Sequence, residues 1–209
     1  MNDNPQDLIS YHDDVRLDGA TLLLAFTGWM DGGDVSTGTV KRLVEVLHAT
    51  PLAEIDPEPF YILNVPGPME IAAMFRPHIA YEDGMLTQFD MPENRFYVDT
   101  HSNLVLFVGK EPHMRWRTFR DCLFVVAREM GVKNILFVGS FGGGVPHTRE
   151  PRLHVSCSHA DMLPEMEKYG VSRTSYSGPG SFVSYLLSQA ADADMRMISL
   201  VAEIPAYLA

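Results

Sequence analysis

The chain has 209 residues, 46% of them hydrophobic and 21% charged, with 27 acidic side chains against 16 basic ones for a net charge of −11. That length suits one domain spanning residues 1–209, and the apolar share excludes a disordered or low-complexity chain. A surface this acidic repels phosphate, which excludes general nucleic-acid binding and attachment to anionic membranes.

Two cysteines, Cys122 and Cys157, cannot form a disulfide framework, and neither lies in a CxxC pair. The opening residues Met1-Asn2-Asp3-Asn4-Pro5 are polar and acidic, which predicts no signal peptide. No apolar run approaches the roughly 20 residues that span a bilayer. A soluble, cytoplasmic protein is therefore expected.

Residues 20–26 form a short continuous apolar run, as in a strand buried on both faces. Val40, Leu43, Val44 and Leu47 then follow the stripe of an amphipathic helix. Pro51, Pro57 and Pro59 break the chain before a second predicted strand at 60–63. Residues 65–103, rich in Pro, Gly, Met and aromatics, predict loops with a short helix near 69–75 and a hairpin around 81–96.

The second half reads more plainly. Residues 104–109 and 134–139 are apolar strands, and the stripe Phe119, Leu123, Val126, Ala127, Met130 between them predicts a helix stopped by Gly131. Short strands at 153–157 and 173–177 flank a short helix at 161–168. A helical stripe from Phe182 to Ala190 precedes a last strand at 197–204. Strands alternating with helices indicate an α/β fold with a largely parallel central sheet covered on both faces.

Three Gly-bearing loops, 27–34, 110–117 and 140–149, each follow an apolar strand. Parallel strands would gather them at the carboxyl edge of the sheet, where open α/β folds place ligands. In the first loop Asp31 or Asp34 is a good helix N-cap. A carboxylate there competes with phosphate, so the loop is no phosphate cradle. Either it is a capped turn beside a buried Trp29, or Trp29 and an acid face a ligand or partner.

In the second loop Pro112 holds Glu111 extended. Glu111 beside Trp116 and two arginines either binds a polar ligand or forms a salt-bridged start to the next helix. In the third loop Gly142, Gly143 and Gly144 permit close backbone approach. There His147, Thr148 and Arg149 offer an acid/base, a hydroxyl and an anion clamp. The loop has neither the ending of a P-loop nor a dinucleotide spacing. Its plainer reading is a tight crossover whose Arg149 pairs with an acid on this surface or on a neighbouring subunit.

The spacing of His147, His154 and His159 matches no metal motif. No Gly-x-Ser-x-Gly elbow occurs, and neither cysteine sits in a cationic setting. No catalytic constellation emerges, and neither a metal nor a cofactor is expected.

Five phrases in order carry a resemblance. They are Phe26-Thr27-Gly28-Trp29-Met30-Asp31-Gly32-Gly33-Asp34, Gly109-Lys110-Glu111-Pro112 with Trp116-Arg117, Val145-Pro146-His147-Thr148-Arg149, Tyr176-Ser177-Gly178-Pro179 and Ile204-Pro205-Ala206-Tyr207. Together they resemble the PAC2 family, named for the proteasome assembly chaperone 2 proteins. The resemblance implies a three-layer α/β/α domain similar to phosphorylase and hydrolase folds, homo-oligomers, and chaperone work in proteasome assembly. Chaperone members commonly end in a hydrophobic-Tyr-any tripeptide, whereas this chain ends Ala206-Tyr207-Leu208-Ala209. Proteasome docking is therefore not expected. The resulting expectation is a non-enzymatic, oligomeric interaction or assembly-chaperone-type module. The alternative is a small-molecule binder or a nucleoside phosphorylase- or hydrolase-like enzyme using the carboxyl-edge cleft.

Overall fold

A computed structural model describes residues 4–209. Its strands are β1 (Ile9–Tyr11), β2 (Ala20–Thr27), β3 (Thr50–Ile55), β4 (His78–Glu82), β5 (Met85–Asp90), β6 (Arg95–Asp99), β7 (Leu104–Lys110), β8 (Val132–Gly143), β9 (Arg152–Cys157), β10 (Ser172–Arg173) and β11 (Arg196–Pro205). The α-helices are α1 (Val35–Leu47), α2 (Met69–Ala73), α3 (Trp116–Glu129), α4 (Leu163–Glu167) and α5 (Phe182–Ala190). Nine strands make one sheet in the order β1-β3-β6-β7-β2-β8-β11-β9-β10, and β4 pairs with β5 in a separate hairpin.

The unbroken apolar run of β2 explains its place. It lies between β7 and β8, parallel to both, and side chains on both of its faces are buried. Leu22, Leu24 and Phe26 face the layer that holds Phe119 and Leu123 of α3 and Phe182 and Leu186 of α5. Leu23 and Ala25 face the opposite layer, built on Val40, Leu43 and Val44 of α1. The expected α/β/α layering and parallel centre are present, with β7, β2, β8 and β11 all parallel. Beyond that centre the pairing turns antiparallel, at β6, β3 and β1 on one side and at β9 on the other.

Several expectations need correction. Residues 60–63 are not a strand: a 3-10 turn, Glu58–Phe60, leads into irregular chain. Their apolar character serves the core instead. Phe60 is fully buried and meets Phe119 edge-on at 4.8 Å between ring centres. The true strand lies just before, in β3, where Pro51 is the second residue and a register shift against β6 follows it directly, a strand-end position that tolerates proline. The hairpin falls at 78–90 and turns at Asp83 and Gly84, both with positive φ, while Phe96 belongs to β6 in the main sheet. The strand expected at 173–177 shortens to β10.

Phe119 packs against Phe26, Phe60, Phe107 and Phe182 at once. Removing such a ring leaves a cavity that costs about 3–5 kcal/mol. Phe119→Ala is accordingly expected to lower the melting temperature by about 10 °C, with Phe119→Leu losing less than half as much. Calorimetry of the two variants checks this.

Candidate functional site

Because β7, β2, β8 and β11 are parallel, their carboxyl ends and the loops that follow do lie along one edge. Glu111, one residue past β7, joins two neighbouring segments there. Its Oε2 accepts from the backbone N–H of Trp29 at 3.0 Å, and its Oε1 accepts from the N–H of Phe182 at 2.6 Å. The second bond serves one of the free donors at the start of α5, where a negative charge also opposes the helix dipole. Gly28 is required beside it. Its φ is +147°, and a Cβ there would come within 2.9 Å of the Glu111 side chain. The carboxylate thus caps α5 rather than starting α3.

Asp31 is the functional cap of α1, and Asp34 is not. The Asp31 carboxylate is 8% exposed. Its Oδ1 accepts from the N–H groups of Ser36 and Thr37 at 2.7 and 2.9 Å, and its Oδ2 from the Thr37 hydroxyl at 2.7 Å. Asp34 sits at the formal cap position in a left-handed conformation with no side-chain capping bond. The expectation of a buried Trp29 fails, because its ring is 66% exposed. Trp116 instead is the anchored tryptophan. Its Nε1 donates to the Pro112 carbonyl at 2.8 Å and its ring packs on Phe182 and Tyr185.

The third loop divides. Phe141, Gly142 and Gly143 continue β8 and pair with Glu203, Ile204 and Pro205 of β11. A Cβ on Gly142 would meet Ala206 and Ala209 of the chain's own last turn, one on Gly143 would meet the Glu203 side chain, and Gly144 stands in open space. His147, Thr148 and Arg149 lie beyond, all exposed. The Tyr207 hydroxyl accepts from the His147 backbone N–H at 3.2 Å and lies 2.5 Å from its ring Nδ1. Among the described residues Arg149 has no ion-pair partner.

A groove of about 940 Å³ opens between the first loop, the ends of β8 and β9, and the segment after β10. Of the residues singled out by the sequence, Trp29, Asp31, Asp34 and Pro179 line it. Glu111, Trp116, His147, Thr148, Arg149 and Gly178 do not. The groove also takes in Tyr176, which the sequence marks only as part of a family phrase, His154, weighed there only as a metal ligand, and Phe141, to which it gives no role. Tyr176, 66% exposed, lies beside Pro179 and donates to the Pro179 carbonyl at 3.1 Å. Phe141 and His154 rings lie 5.8 Å apart, brought close by two strands that flank β11. The His154 Nε2, shielded from solvent, has no hydrogen-bond partner among the described residues. Hydroxyls of Ser156, Ser199, Thr174 and Ser184 also line the groove.

Burial pushes the Cys122 thiol up to about 12 and raises that of Cys157 as well, despite the attraction of Arg196. Neither offers a thiolate at neutral pH. Lys110 points away from the groove, into a second cleft of about 830 Å³ between α1 and the β4–β5 hairpin. Burial lowers its ammonium pKa. Among the described residues no three His, Cys, Asp or Glu side chains gather as a metal would need, and no helix is long and apolar enough to cross a membrane.

This architecture is an α/β/α scaffold with a capped carboxyl edge and one aromatic, hydroxyl-lined groove. The chain belongs to the PAC2 family, whose model matches residues 25–209. Its fold is similar to that of a proteasome-assembly chaperone homologue from Mycobacterium tuberculosis (TM-score 0.76, 29% identity, covering 90% of this chain and 76% of that one). It is also similar to a PAC2 family protein from Streptomyces avermitilis (TM-score 0.73, 27% identity, 90% and 77% covered). An archaeal proteasome activator from Pyrococcus furiosus shares the fold at 16% identity (TM-score 0.68, 96% and 81% covered). No curated protein matches the sequence.

Glu111→Ala strands the N–H groups of Trp29 and Phe182, and should cost about 2–3 kcal/mol in urea denaturation. Glu111→Gln keeps one acceptor and should fall between. Equal stability of all three proteins would show that the carboxylate carries no such role. The thiols give a separate check: in the native protein Cys122 should resist a thiol-reactive disulfide reagent and half-buried Cys157 should react slowly, and both should react fully on unfolding.

Proposed function

We propose that this chain is a non-enzymatic, self-associating protein-interaction module of the assembly-chaperone type, with the carboxyl-edge groove as its partner-binding surface. The observation that supports it most is how the polar groups at this edge are used. Glu111 accepts from two backbone N–H groups, Asp31 from two backbone N–H groups and the Thr37 hydroxyl, and Trp116 is anchored in the core. What faces the groove, besides the exposed Asp34 and the shielded His154 ring, is Trp29, Tyr176, Phe141 and a set of hydroxyls. Exposed aromatic side chains with adaptable hydroxyls suit a protein surface better than they suit bond-breaking chemistry. The kinship with a proteasome-assembly chaperone homologue supports the same class of work.

The groove volume lies within the range of small-molecule sites, which favours a ligand-binding protein as the second reading. One pair of experiments separates them. A photo-crosslinking residue at position 29 or 176 should trap one discrete protein partner in cells, and Trp29→Ala/Tyr176→Ala should abolish that partner's binding without changing the melting temperature. A thermal shift with nucleosides, inorganic phosphate or small carboxylates, lost in the same double variant, would replace the interaction reading with the ligand-binding one.

A further inference from the structure

The segment from α2 through β5 stands outside the main sheet, and no prediction drawn from the sequence gave it a role. Between Met69 and Met91 nine large apolar side chains are 41% to 82% exposed. The hairpin within it is sharply two-sided. Ile79 pairs with Phe89 and Tyr81 with Leu86 across the two strands. Directly opposed residues share a face, and a register shift that leaves Thr87 as an extra residue in β5 keeps Phe89 and Leu86 on one side although they lie three apart. These four therefore form one apolar face.

The other face carries His78, Ala80 and Glu82 opposite Asp90, Gln88 and Met85. Its polar groups bond among themselves: Gln88 Nε2 donates to Asp90, and the His78 Nδ1 lies 3.5 Å from an Asp90 oxygen. Met69, Ile71 and Met74 extend the exposed apolar surface along α2.

A two-stranded hairpin exposed on both faces is marginal in water, and a monomer rarely shows a contiguous apolar patch beyond a few hundred Å². The arm therefore needs a cover that is present whenever the chain is folded. A second copy meets that condition. A standard interface takes about 20–30 residues from each partner, and the arm is a segment of that length with nine large apolar side chains at least 41% exposed. The apolar face carries no charge, so joining two such faces buries no like-charged pair although the chain is strongly acidic. That acidity also disfavours the competing cover, an anionic membrane surface.

We infer that the arm spanning residues 69–91 is a self-association surface, the Ile79, Tyr81, Leu86 and Phe89 faces of neighbouring copies packing on one another. This rests on the self-associating module proposed above and names its contact. The groove is tested by other variants, so either assignment can fail alone.

The test is light scattering coupled to size exclusion at tens of micromolar, on the whole chain. Wild type should exceed the mass of one chain. Ile79→Lys/Phe89→Lys should fall to a single chain while keeping the far-ultraviolet circular dichroism and main unfolding transition of wild type. Glu82→Lys/Asp90→Lys, on the opposite face, and Trp29→Ala/Tyr176→Ala should keep the wild-type mass. Replacing residues 78–90 by a short Gly-Ser linker gives a second monomeric form should the lysine variant misfold, since β4 and β5 pair with no strand of the main sheet. A monomeric wild type, or an assembly that survives both arm variants, overturns the inference.

Discussion

A single carboxylate sets the spacing of the carboxyl edge. Glu111 reaches the backbone of two segments that follow other elements, the turn after β2 and the start of α5, and accepts one N–H from each. Much else depends on that bridge. Gly28 has no side chain because the carboxylate occupies the space where one would stand. Trp29 has its backbone N–H committed to that carboxylate, while its ring is left in solvent. Phe182, with its N–H fixed by the same group, places its ring among Phe26, Trp116 and Phe119. One polar bridge thus ties the outer edge to the aromatic core, and a charge-assisted bond to a helix start is strong enough to do so.

The parallel centre was legible because β2, β7 and β8 are apolar on both faces, and only a covered inner strand tolerates that. The gathering of the three loops followed from it. What could not be read was anything set by distant pairing. Residues 60–63 look like a strand because Phe60 fills the core, yet nothing local reveals that α3 supplies its partner. β3 is hidden by Pro51, tolerated near the strand's start beside a register shift that exists only once β6 is alongside. In the site, Asp31 was readable as a cap because its partners follow within six residues. The Phe182 N–H that Glu111 accepts lies 71 residues further on, and no spacing rule reaches that far. Tyr207 is visible in the sequence as part of a family phrase and as a mismatch to a docking tripeptide, but nothing local reveals that its hydroxyl holds His147, 60 residues before it.

Charge is distributed in keeping with this plan. The two acids at the heart of the edge face backbone donors, and Asp31 is withdrawn from solvent, so they contribute cohesion rather than an open acidic field. Solvent-facing acids instead lie out on turns, on helix surfaces and on the polar side of the hairpin, many of them beside a basic neighbour. The apolar face of the hairpin carries no fixed charge, and at the groove Trp29, Tyr176 and Phe141 are joined by one exposed acid, Asp34. Such surfaces can meet another protein without a large desolvation penalty.

The contact of Gly142 with Ala206 and Ala209 ties the third loop to the far end of the chain. Tyr207 grips His147 on one side of that contact, and β8 runs in register with β11 on the other. The loop bearing His147 and Arg149 is consequently not an independent flap. To swing it outward, the last turn must leave the glycine surface and the tyrosine must release its hold together. The carboxyl edge is therefore mechanically coupled to β11, so that a partner seated between Trp29 and Tyr176 would feel the stiffness of the sheet itself beneath it.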